Sequence, residues 1–308
     1  MSQEIMHLFE GNDSFEAQFF AREKFETAGG TVEVVDVRSE KPNTEIPTFL
    51  APGWAMTIDV YKTLAEKLVE EKGRFISINY LSLGGEMEGI PKEDIERYSS
   101  IEINKALSVL DVLEQKDIEK IDVLAHSEGA INICIAAVLH PEKFRNIILY
   151  NPAGMMKDNT FTALLKRIND ISSSPETLAK MKEEMNLPES KKEAVPVWVR
   201  EMLKYIAKNP VRSAKEALNI SQSQIYDLIR YLHEQGIGIS IMSGVDDPLF
   251  PPEKMQEFAK ADMLDGFASI RGDHGIPVEK PFTEPFAKAI VYMFASLENK
   301  RKKNESKT

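Results

Sequence analysis

Short apolar runs alternate with helix-like runs along most of this chain, and that alternation constrains its fold more than any other feature. GGTVEVVDV (29–37) follows a Gly-Gly turn and is valine-rich, so it reads as a strand. IPTFLAP (46–52) reads as a second, and RFISINY (74–80), KIDVLA (120–125) and FRNIILYNPAG (144–154) read as the next three. Between them, TIDVYKTLAEKLVEEKG (57–73) and DIERYSSIEINKALSVLDVLEQ (94–115) place apolar residues at helical spacing. The alternation resumes with GIGISIMSG (236–244), a helix near 252–261, the strand DGFASIRG (265–272) and a final helix near 284–299. Strands joined by helices imply an α/β fold, a mostly parallel sheet flanked by helices on both faces.

From about Met155 to Gln235 only helical patterns appear, punctuated by Pro175, Pro188, Pro196 and Pro210. The reading is therefore a core domain made of residues 1–154 and 236–299, interrupted by a helical cap at 155–235. The polar basic tail 300–308, KRKKNESKT, reads as disordered.

Composition narrows the function. The 308 residues are 43% hydrophobic and carry a net charge of −11, which argues against a nucleic-acid binder. One cysteine, Cys134, excludes an internal disulfide, and its apolar helical surroundings assign it to the core. No apolar stretch reaches membrane-spanning length, and the N-terminus lacks the pattern of a secretory signal, so the expected compartment is the cytoplasm. Neither HExxH nor Cys/His ligand spacing occurs, and LSLGGEMEG (81–89) lacks both G-x-G-x-x-G and a Walker lysine. No metal, cofactor or nucleotide is expected. The expected partner is a small-molecule substrate; oligomeric state is left open.

Ligands of open parallel sheets lie beyond the carboxyl ends of the strands. Three polar residues directly follow strands there: Ser127 in VLAHSEG, Asp247 in SGVDDPLF and His274 in RGDHGIP. A serine hydroxyl needs a base to become a nucleophile, and an imidazole serving as that base needs a carboxylate to orient it.

That order, with the AHSEG turn, resembles the α/β-hydrolase family from about Gly29 to Asn299, including the cap. The family turn is G-x-S-x-G, and this chain departs from it with Ala125 in the first position. The resemblance implies a catalytic triad of Ser127, Asp247 and His274; the acid-loop pattern selects Asp247 over Asp246. The alternative acid position after the preceding central strand falls near Asn151, a neutral amide. The resemblance also implies an oxyanion hole formed by the backbone N–H groups of Glu128 and Trp54, the latter in FLAPGWAM, where Pro52 replaces a common histidine. Trp54 also reads as a pocket wall or a plain core tryptophan.

The other histidines carry weaker functional readings. His126 is expected to pack or hydrogen-bond locally, with a pocket-lining role as the alternative. His140 precedes Pro141 at a helix end, and His7 and His233 have no partner visible in the sequence. Met155, Met156, Met181, Met185, Trp198 and Met202 give the cap an adaptable apolar character, which fits an acyl pocket or the core of a small helical subdomain. His126, Met155 and Met156 are the candidate pocket residues. The expected activity is hydrolysis of a carboxylic ester or thioester of a small or medium apolar acyl group through an acyl-enzyme. Acyltransferase, lactonase, amidase and carbon–carbon bond hydrolase chemistry on the same triad remain alternatives, as does a non-catalytic binding module.

Overall fold

The valine-rich run forms the nine-residue strand β2 (Gly30–Arg38), preceded by a short helix α1 (Phe15–Phe20) and strand β1 (Glu23–Thr27). This computed structural model describes residues 14–84, 98–156, 161–172, 174, 179, 196–258 and 262–305. The following elements are β3 (Thr48–Ala51), a 3₁₀ turn (Ile58–Tyr61) leading into α2 (Lys62–Lys72), β4 (Arg74–Tyr80), α3 (Ser100–Gln115) and β5 (Ile121–His126). Then come α4 (Gly129–Leu139), β6 (Phe144–Tyr150), α5 (Phe161–Ser172), α6 (Val197–Lys208), α7 (Pro210–Gln222) and α8 (Tyr226–Glu234). The chain closes with β7 (Gly238–Gly244), α9 (Pro252–Phe258), β8 (Gly266–Ile270) and α10 (Lys280–Glu305).

The eight strands form one sheet in the order β1-β2-β4-β3-β5-β6-β7-β8. β1, β2 and β4 pair antiparallel, and every pairing from β4–β3 through β7–β8 is parallel. Every residue of β3 and β5 is buried, as expected of central strands covered on both faces. Because β3, β5, β6, β7 and β8 run parallel, the loops that follow them emerge along one edge. Positions 52–56, 127–128, 151–156, 245–250 and 271–275 are thereby gathered from distant parts of the sequence.

Strand β1 is absent from the sequence-based reading. Its EKFET run is mostly charged and exposed, with Phe25 its one large apolar side chain, so the period-2 signal is weak. Pairing with β2, from Glu23↔Val34 to Thr27↔Gly30, makes it a strand. The last helix also extends further than expected. It runs through Glu305, into the segment read as a disordered tail, and Arg301 and Lys302 both face Glu298 at helical spacing. Helix α3 starts at Ser100 because the Ser99 hydroxyl caps the Glu102 N–H; residues 94–97 of the expected helix lie outside the described residues.

The interval between β6 and β7 contains only helices among the described residues. Its last helix, α8, packs on α4 and β7 and covers the sheet. Helices α5, α6 and α7 stand instead against the loops at the strand ends. Met181, Met185, His7 and residues 85–89 of the glycine-containing loop lie outside the described residues. No described helix is long and apolar enough to cross a membrane.

Candidate active site

The AHSEG turn is tight because β5 delivers its last residue, His126, directly into the start of α4 at Gly129. Ser127 adopts φ +53°, a left-handed conformation that a non-glycine residue rarely holds unless its surroundings impose it. Its N–H donates to the Tyr150 carbonyl, and its own carbonyl accepts from Ala130 and Ala153. Gly129 must be glycine: a Cβ there would stand 2.5 Å from the Ala51 carbonyl oxygen of β3. Ala125, the departure from the family turn, is paired across the sheet with the equally small Ala51.

Asp247 and His274 meet in this structure. His274 Nδ1 lies 2.8 Å from Asp247 Oδ2, and both side chains are buried. The other carboxylate oxygen, Oδ1, accepts the backbone N–H groups of Leu249 at 2.7 Å and Phe250 at 3.0 Å. The carboxylate is thus aimed by its own loop. Asp246, the alternative, is exposed. The His274 ring is walled by His126, Phe250 and Trp198, with ring centroids 4.9, 5.5 and 5.6 Å away. Ser127 Oγ makes no hydrogen bond to His274 among the described residues.

His126 hydrogen-bonds through both ring nitrogens. It is buried, and its Nε2 lies 3.0 Å from the His274 carbonyl oxygen, while Nδ1 lies 2.7 Å from the Tyr61 hydroxyl. A carbonyl can only accept, so Nε2 carries the proton. Burial, reinforced by the charge of His274, holds His126 well below the usual histidine range and keeps it neutral. Nδ1 is then an acceptor and Tyr61 donates to it. The Tyr61 oxygen in turn accepts the Gly53 N–H at 3.1 Å. One directional chain therefore joins the Gly53–Trp54 loop, the turn and the His274 backbone.

Trp54 follows Gly53, whose Cα stands so close to the turn that an added Cβ would lie 3.3 Å from Ser127 Cβ. Neither the Trp54 nor the Glu128 backbone N–H donates a hydrogen bond among the described residues. The Trp54 ring packs edge-on against Tyr205, and Nε1 donates to Glu216 Oε2 at 2.9 Å. Met155 and Met156 are buried beyond β6; the Met156 carbonyl accepts from Gln224 Nε2.

Asn151, at the alternative acid position, is structural. At φ +42°, it accepts the Gly244 N–H through Oδ1 at 2.8 Å and binds the end of β6 to the end of β7. Tyr150 donates to the Asp273 carbonyl, fixing the residue before His274. Sequence reasoning missed Tyr61, Tyr150, Lys105 and Glu216, because the partners that give each its role are distant in sequence. His140 faces Glu142 on the surface, and His233 stands 3.5 Å from Asp265. Cys134 is buried, and burial pushes its thiol up to about 12, in keeping with a core role.

The helices between β6 and β7 touch each of the three site loops. Arg167 of α5 donates to the Leu249 carbonyl in the acid loop. Trp198 of α6 lies against His274, its Nε1 3.4 Å from Asp273 Oδ2. Glu216 of α7 holds the Trp54 indole.

Residues 49–269 match the family model described as the alpha/beta hydrolase fold, and the chain belongs to that family. Among solved structures it resembles a thermophilic esterase from Thermogutta terrifontis, at 20% identity and a TM-score of 0.60, over 90% of this chain and 98% of that one. It also resembles a structure from a study of carboxylesterases of Nitrososphaera gargenis, at 16% identity and a TM-score of 0.62, over 90% and 100% of the two chains. A third neighbour is the enol-lactonase from Burkholderia xenovorans LB400, at 14% identity and a TM-score of 0.57, over 89% and 100%. At these identities the likeness speaks for the fold. No curated protein matches the sequence.

Proposed function

We propose that the protein is a serine hydrolase that cleaves carboxylic esters or thioesters through an acyl-enzyme. The observations that carry this reading are the buried 2.8 Å pair of His274 and Asp247 and a serine held at φ +53° on the strand-to-helix turn. Ser127 attacks the acyl carbon. His274 takes the hydroxyl proton through Nε2 and returns it to the leaving alcohol or thiol. Asp247, acceptor-only and held by two amides, keeps Nδ1 protonated and stabilises the imidazolium as it forms. The Trp54 and Glu128 amides meet the developing oxyanion. In the second half of the cycle water attacks the acyl-enzyme, with His274 as base.

A lactone is a cyclic ester and makes the same demands on this machinery, so lactones belong in the substrate panel. Intact-mass analysis after treatment with a fluorophosphonate tests the reading. One adduct is expected on the wild type and none on Ser127→Ala. Esterase turnover should fall by at least about three orders of magnitude in that variant. A well-folded wild type that takes no adduct and hydrolyses no ester, thioester or lactone overturns the proposal.

A further inference from the structure

Beneath the turn lies a buried charge cluster that the serine, histidine and aspartate do not use. Glu102 and Lys105 come from α3, Glu128 follows Ser127, and Glu216 comes from α7; each is at most 3% exposed. Lys105 Nζ donates to Glu128 Oε1 at 2.5 Å and stands 3.3 Å from Glu216 Oε1. Glu216 Oε1 also accepts from Arg212 Nε at 3.0 Å. Its second oxygen takes the Trp54 indole N–H at 2.9 Å and the Tyr205 hydroxyl at 2.8 Å. The Lys105 ammonium joins the Glu128 carboxylate to Glu216 and, through that carboxylate, to the Trp54 indole.

The charges can be balanced. Three carboxyls face two cations, Lys105 and Arg212, and neither oxygen of Glu102 meets a donor among the described residues. Burial, followed by the negative charge of Glu128, pushes the Glu102 carboxyl well up. A protonated Glu102 leaves the cluster neutral and able to donate toward Glu128. Buried ion pairs are poor sources of stability compared with apolar side chains of equal volume. What this cluster supplies instead is a directional link between two loops and a helix.

We propose that Lys105 and Glu216 are positioning residues for the oxyanion hole, fixing the spacing of the Trp54 and Glu128 amides and tying it to α7 of the insertion. This inference rests on the serine-hydrolase reading. Holding their side chains adds to the rigidity of the segments that carry the backbone donors, and displacing such donors by a fraction of an ångström weakens the transition state more than the bound substrate.

The test uses Trp54→Phe, which keeps an aromatic ring and the backbone N–H but deletes the indole donor, and Glu216→Gln, which keeps shape and removes charge. Lys105→Met is the stronger variant and the one most exposed to folding failure. Ester kinetics, fluorophosphonate labelling rates and thermal unfolding are measured on each. In Trp54→Phe and Glu216→Gln, kcat should fall by about 10- to 100-fold with KM within about two-fold, and labelling should slow in parallel. Folded variants with wild-type kcat and labelling rate overturn the proposal, as does a rise in KM at unchanged kcat. A wild type that neither labels nor turns over overturns the serine-hydrolase reading itself, before any variant is compared.

Discussion

At the scale of single residues, Tyr61 carries more of the site than its position in the sequence announces. Its hydroxyl accepts from Gly53 and donates to His126, whose Nε2–H reaches the His274 carbonyl. Tyr61→Phe leaves a buried N–H and a buried imidazole nitrogen without partners. Each such loss costs about 1–3 kcal/mol, so the urea midpoint should fall by the equivalent of at least about 1 kcal/mol. The same variant should lose ester turnover, because the chain positions both the Gly53–Trp54 loop and His274. The motif residues Ser127, Asp247 and His274 were legible because each follows a strand and sits in a recognisable turn. Tyr61 was not, because a tyrosine at helical spacing in TIDVYKTL looks like any other core aromatic.

At the scale of elements, the turn between β5 and α4 depends on how closely β3 approaches the first residue of the helix. Gly129→Ala places a methyl group 2.5 Å from the Ala51 carbonyl oxygen, so backbone must move. A destabilisation of about 1–3 kcal/mol in chemical denaturation is expected, together with slower fluorophosphonate labelling of Ser127. The helices α5, α6 and α7 each hold one of the site loops, through Arg167, Trp198 and Glu216. Sequence patterning identified this helical interval but not its contacts. It also grouped α8 with the insertion, whereas α8 packs against α4 and β7 of the sheet layer.

Across the whole molecule, a second charge network ties the antiparallel edge to the rest of the sheet. Asp36 of β2 accepts from Arg74 Nε and Nη2 of β4, each at 2.9 Å, and from Lys116 Nζ at 3.2 Å. Burial raises the Asp36 carboxyl, but the hydrogen bond and charge of Arg74, with Lys116 behind it, outweigh burial and lower it from 3.8 to about 2. A depressed native value means the unfolded chain binds the proton first. The stabilisation is complete above about pH 4 and is lost as pH falls from there through about 2, amounting to about 2 kcal/mol. Denaturation curves between pH 6 and pH 2 should show this loss in the wild type, and Asp36→Asn should lack that component and be less stable at pH 6.

What the sequence determined by itself is what local periodicity encodes: the strand and helix alternation, the mostly parallel sheet, the helical interval, and the three polar residues at strand ends. These follow from side-chain spacing and turn chemistry within short windows of chain. Only the tertiary structure decided that EKFET is a strand, since its partner β2 supplies the hydrogen bonds its own pattern does not demand. Tertiary structure also decided that Tyr61, His126 and His274 form one directional chain. Lys105, Glu128 and Glu216 likewise acquire meaning only together, because burial makes a charge depend on partners that are distant in sequence and adjacent in space.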